Sequence, residues 1–130
     1  MVNPEFLEAG FYDYRPITES DIMVRIDETV AILAESFPTV RIEKVRYFAA
    51  ENELHIPLES GTIVITELSS STERQIAGLG VLDTAKPGIL ERGEYTYIDL
   101  RVSLKAFLCR DRAACLANLK RIYPTAYTDA

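Results

Sequence analysis

The chain has 130 residues, 48% hydrophobic and 26% charged, which fits one soluble globular domain with its own core and excludes disorder over most of its length. Its 20 acidic residues against 14 basic ones leave a formal charge of −6, a field that repels phosphate backbones and anionic lipid surfaces and argues against nucleic-acid binding. No apolar run approaches the roughly 18–20 residues of a bilayer span, and the opening MVNPEFLEAGF lacks the basic start and apolar centre of a secretion signal.

Residues 1–18 carry Phe6, Phe11, Tyr12 and Tyr14, with Pro4, Gly10 and Pro16 interrupting any period, and read as an irregular lead-in. From Glu19 to Phe37 the apolar positions Ile22, Ile26, Val30, Leu33 and Phe37 recur at steps of three and four, one stripe of a helix. Thr18 or Ser20 caps its start and Pro38 stops it. The run TVRIEKVRYF, from Thr39 to Phe48, is β-branched and aromatic, with its alternation broken around Lys44 and Val45, which predicts a strand with a bulge.

A turn leads into Leu54–Leu58, where Leu54, Ile56 and Leu58 share one face and His55 and Pro57 the other, with His55 expected at the surface. The tight turn ESGT precedes a third strand, Thr62–Leu68, so an antiparallel meander is predicted. Ser70 and Glu73 fit a capping box for a second helix, with Ile76, Leu79 and Leu82 or Val81 as its stripe and Gly78 and Gly80 weakening it. After the turn-rich KPGILERGE come a strand from Tyr95 to about Val102 and another from about Leu104 to Cys109. Asp111 caps a last helix through RAACLANLKRI, striped by Leu116, Leu119 and Ile122 and ended by Pro124.

These elements predict an α+β fold: a mostly antiparallel sheet of about five strands, a meander plus C-terminal strands, with helices packed on one face. The domain is expected over 19–123, with 124–130 as a C-terminal tail.

Catalytic signatures are sparse. His55 is the only histidine, so a triad or dyad needs it buried beside a carboxylate; there is no GxSxG, GxGxxG, P-loop or HExxH. Asp99 and Arg101 fall on one side of their strand, where an ion pair accounts for them, while Ile98, Leu100 and Val102 point to the core. Cys109 and Cys115 make no metal framework without a CxxC or a nearby histidine; composition leaves both one disulfide and two free thiols open. No metal, cofactor or catalytic residue is expected.

The run VRIEKVRYFAAENELHIPLESGTIVITELSSSTERQIAGLGVLDT, followed after a loop by YIDLR, resembles the C-terminal β domain of the bacterial cell-division family FtsQ/DivIB. The likeness covers about Ile22 to Leu108, rests on the order and spacing of the elements more than on any one residue, and includes Ile98, Asp99, Leu100 and Arg101, which match a strand ending Ile-Asp-Leu-Arg. It implies a non-catalytic divisome scaffold on the extracytoplasmic side of the membrane at the septum, attached through an N-terminal anchor outside this stretch. Its implied partners are FtsB-like and FtsL-like proteins, which add a strand to an exposed C-terminal edge. Here that edge falls on Val102, Leu104, Lys105, Ala106, Phe107, Leu108 and Arg110, with Phe107 as an anchor and Lys105 and Arg110 as charge partners. An oxidising location also implies that Cys109 and Cys115 are bridged. The alternative is a small α+β domain that binds a small molecule between sheet and helices, in a pocket lined by Tyr47, Tyr95 or Tyr97.

Overall fold

The computed structural model describes residues 19–102, 105–124 and 126–127. Helix α1 runs over Glu19–Ser36, followed by strands β1 (Arg46–Phe48), β2 (Glu53–Pro57) and β3 (Ile63–Glu67), helix α2 (Thr72–Ala85), strands β4 (Tyr97–Asp99) and β5 (Phe107–Cys109), and helix α3 (Arg112–Ile122). The lead-in 1–18 and Leu104 lie outside the described residues.

The strands form one sheet in the order β1-β2-β3-β4-β5. Three of the four pairings are antiparallel; β3 and β4 are parallel, because α2 carries the chain back across the sheet between them. The α+β class and the mostly antiparallel sheet thus hold, with the meander confined to β1–β3. The first strand is shorter than expected: Ile42 bridges Leu58 and Glu43 N–H bonds the Pro57 carbonyl, then pairing lapses and resumes at Arg46, spanning the break in alternation at Lys44 and Val45.

Helices α1 and α2 share one face. Their Ile22, Ile26, Leu33, Ile76 and Leu79 close over Leu54, Ile56, Val64 and Ile98 of the strands. Burying each such side chain contributes about 1.5–3 kcal/mol. Ile89 and Leu90, from the turn-rich connection, complete this core. That loop is anchored on the β2–β3 turn, where Ser60 Oγ donates to the Leu90 carbonyl at 2.6 Å. Gly93 makes the approach possible: its φ is +66°, and a Cβ there would run into the Ser60 carbonyl oxygen.

Helix α3 lies on the other face, so the one-face expectation describes α1 and α2 alone. Leu119 of α3 and Tyr123 just beyond it pack on Ile63 and Ile65, with Phe48, Tyr97, Leu116 and Tyr127 around them. Asp111 is its N-cap, accepting from the Ala113 and Ala114 amides. Its buried stripe is Cys115, Leu119 and Tyr123; Ile122, expected in that stripe, is exposed because the helix ends there and Tyr123 turns inward instead. A disulfide joins Cys115 of α3 to Cys109 of β5.

Candidate functional site

Two regions of the molecule concentrate polar or exposed groups: the β5 edge with the groove beside it, and a buried charged network under α3.

Strand β5 closes the sheet. It pairs with β4 through Cys109–Tyr97, Leu108–Ile98 and Phe107–Asp99, and among the described residues no strand lies on its far side. Ala106 and Leu108 pack inward against the α1/α2 core, whereas Phe107 is 50% exposed. Cys109 is fixed to α3 by the disulfide, so the edge is tied on both faces. Arg110, just past the strand, is ion-paired to Glu94 at 2.8 Å. The opposite edge differs: Arg46 of β1 donates to the Ala126 carbonyl at 2.8 Å and lies over the Tyr127 ring, so a charged side chain folds across it.

Between α2 and the β4–β5 connection is a groove of about 740 Å³. Val81 and Leu82 of α2, Leu100, Val102 and Ala106 supply its apolar wall, and Ser70, Ser71, Arg74, Arg101 and Lys105 its polar groups. Val81 is 72% and Val102 45% exposed, which leaves two branched apolar side chains in solvent within one concavity. Of the residues expected at a partner edge, Val102, Lys105 and Ala106 line this groove, Phe107 and Leu108 form β5, and Arg110 stands beyond it. None of Tyr47, Tyr95 and Tyr97 lines it. Sequence reasoning missed Arg74 and Val81 as groove residues, although Gly78, a glycine in mid-helix that also lines it, was a visible signal.

The second region corrects the reading of His55. It was expected at the surface, but its ring is fully buried, because the Tyr123 and Tyr127 rings cover that face of β2. Phe48 packs on it from β1 at 4.3 Å between centroids. His55 Nε2 lies 3.2 Å from Glu53 Oε1, and Nδ1 lies 2.7 Å from the Tyr127 hydroxyl. A carboxylate only accepts, so Nε2 carries the proton and donates to Glu53, and the neutral ring accepts from Tyr127 at Nδ1.

Glu53, 3% exposed, also accepts from the Tyr123 hydroxyl and pairs through Oε2 with Arg101. Arg101 is held to Asp99 through Nε–Oδ1 at 2.8 Å and Nη2–Oδ2 at 2.5 Å. The same-side pairing of Asp99 and Arg101 is therefore present, but Asp99 is buried rather than solvated. The tail contributes too, since Tyr127 belongs to this cluster.

Burial lowers the His55 pKa, and the Glu53 hydrogen bond and charge only partly restore it. At Glu53 burial raises the pKa, but the His55 and Tyr123 hydrogen bonds and the Arg101 charge outweigh it and leave it lowered. Tyr127 is pushed up to about 12 by burial. His55 thus meets the condition of lying buried beside a carboxylate. Both its ring nitrogens are engaged, however, and it has no exposed surface, so in this arrangement no substrate proton is within its reach.

No family model matches the chain, and no curated protein or solved structure matches it. None of the described helices is long and apolar enough to cross a membrane.

Proposed function

We propose that this domain is a non-catalytic interaction module that receives an extended segment of a partner protein as an added strand on β5. The carrying observation is that among the described residues no strand pairs with the outer side of β5, with Phe107 half-exposed beside it. An edge strand offers main-chain donors and acceptors, while alternate side chains read the partner. Pairing to β4 on one side and the Cys109–Cys115 bridge to α3 keep β5 in place before binding, which lowers the ordering cost of association.

The resemblance over Ile22–Leu108 supports a divisome scaffold, with FtsB-like and FtsL-like proteins as the partners. A disulfide between Cys109 and Cys115 supports an oxidising compartment, in keeping with the extracytoplasmic side of the membrane. The test is an amide chemical-shift titration of the labelled chain with peptides from the FtsB-like and FtsL-like proteins of the same genome. Shifts clustered over 105–110 are expected; saturating peptide with no shifts there rejects strand addition.

A second reading takes the groove itself as a small-molecule site, since its volume falls within the roughly 300–1,000 Å³ of ligand pockets. Under that reading an amphipathic small molecule shifts Val81 and Val102 methyl signals and leaves the β5 amides unmoved.

A further inference from the structure

The groove beside β5 has a composition unlike the rest of the chain. The whole sequence carries 20 acidic residues against 14 basic ones, yet among the described residues the groove is lined by Arg74, Arg101 and Lys105 and by no Asp or Glu. Arg101 is neutralised by Asp99 and Glu53. Arg74 and Lys105 have no ion-pair partner among the described residues, whereas Arg41, Arg92 and Arg110 each face a glutamate.

A second observation concerns Gly78. A glycine inside a helix costs up to about 1 kcal/mol relative to alanine and is commonly repaid by a close approach of backbone. Among the described residues nothing outside its own helix approaches it: a Cβ added at Gly78 meets no atom of them within 4 Å, and the residue lines the groove. With Val81 and Val102 exposed on either side, α2 presents an apolar concavity under two unpaired cations.

Resting on the strand-addition reading, we propose that the groove takes an acidic, apolar stretch of the partner chain, continuous with the part that pairs on β5. Lys105 and Ala106 belong to the groove and lead directly into Phe107, so a segment leaving the edge there meets Val102 and Val81 with its apolar side chains. Its carboxylates face Arg74 and Lys105. An acidic partner is thereby distinguished from a basic one by a concavity of positive sign that adjoins the edge.

The experiment uses the full chain, labelled at amides and valine methyls, and two short synthetic peptides: one alternating Glu with Val, and its counterpart with Lys in place of Glu. The expected result is that the acidic peptide shifts both the 105–110 amides and the Val81 and Val102 methyls, and the basic peptide shifts neither. The exposed pair Arg74→Glu with Lys105→Glu then weakens the acidic peptide roughly tenfold or more, and rising salt weakens it further. Gly78→Leu, which fills the groove where there is space, abolishes the methyl shifts in a chain that still melts cooperatively.

Equal binding of both peptides at 105–110 overturns the acidic preference and leaves strand addition standing. Methyl shifts without β5 shifts overturn strand addition instead. Contacts between Phe6 or Tyr12 and Val81 in the free chain overturn a partner as occupant, because the chain's own residues then fill the groove.

Discussion

The two faces of the sheet are built on different principles. Under α1 and α2 the core is a set of aliphatic side chains, with Leu33, Leu54, Ile56, Val64, Leu79 and Ile98 all fully buried. Under α3 the centre is a charged network in which Glu53, His55, Asp99, Arg101, Tyr123 and Tyr127 satisfy one another. The first is non-directional and tolerates repacking. The second depends on each partner, because a buried charge deprived of its counterpart costs more than the pair contributes.

The largest expected effect separates these two. Glu53→Ala removes the group that accepts from His55, Tyr123 and Arg101, and should lower unfolding free energy by about 4 kcal/mol, within the range for breaking a buried pair. Leu54→Ala on the opposite face should cost about 3 kcal/mol, as a cavity does. Urea midpoints at constant m-value measure both. A Glu53→Ala loss below that of Leu54→Ala would break the comparison, since the network would then be dispensable.

Next in size is the tie between α3 and the sheet. Replacing both Cys109 and Cys115 by Ser opens a short loop, for which the chain-entropy account gives about 2 kcal/mol. The loss should concentrate on the α3 face: amide exchange should quicken in α3 and β5 and stay unchanged in α1. Uniform quickening would mean that the two faces unfold as one unit.

The pH response should also belong to one face. Because the folded-state His55 pKa is lowered below its ordinary 6.5, its contribution is complete above 6.5 and is lost as pH falls below that value. Glu53, also lowered, adds a loss in the same direction beginning near 4.5. Stability should therefore be flat from neutrality up to the ordinary tyrosine value of 10.0, above which the raised Tyr127 works against the fold, and should decline on acidification in two stages. Replacing His55 by Asn should remove the upper stage and keep the lower, read as urea midpoints across pH. A profile in which stability rises between pH 7 and 5 would contradict a neutral buried ring.

The same contrast governs what could be read from the sequence. The aliphatic face was legible because period carries it: Ile22, Ile26 and Leu33 at helical steps, Leu54, Ile56 and Leu58 at alternate ones, and Asp111 as a cap. The network was not. Alternation assigned His55 to the face opposite Leu54, but period says nothing of whether a face is covered, and its cover comes from Tyr123 and Tyr127, far along the chain and partly in what read as a tail. The local pair Asp99–Arg101 was readable at a spacing of two; its third member, Glu53, lies 48 residues away. Likewise, the strand that ends the sheet is visible as a strand, while the groove beside it depends on where α2 crosses.

The smallest effect tests whether the aliphatic face is as purely apolar as it looks. Thr66 pairs with Leu54 across β2 and β3 and points to the α1/α2 side, fully buried. Its Oγ1 has no hydrogen-bond partner among the described residues. A buried hydroxyl without a partner keeps its desolvation cost, whereas valine has the same shape without it. Thr66→Val should therefore raise stability by about 1 kcal/mol, a gain in urea midpoint with no change in slope. The matching exchange on the other face, Tyr123→Phe, deletes a hydroxyl that donates to Glu53 and should lower stability by a similar amount. Opposite signs from two hydroxyl deletions sharpen the contrast between the faces; equal signs would mean that Thr66 finds a partner in solution and that the apolar side also relies on a polar contact.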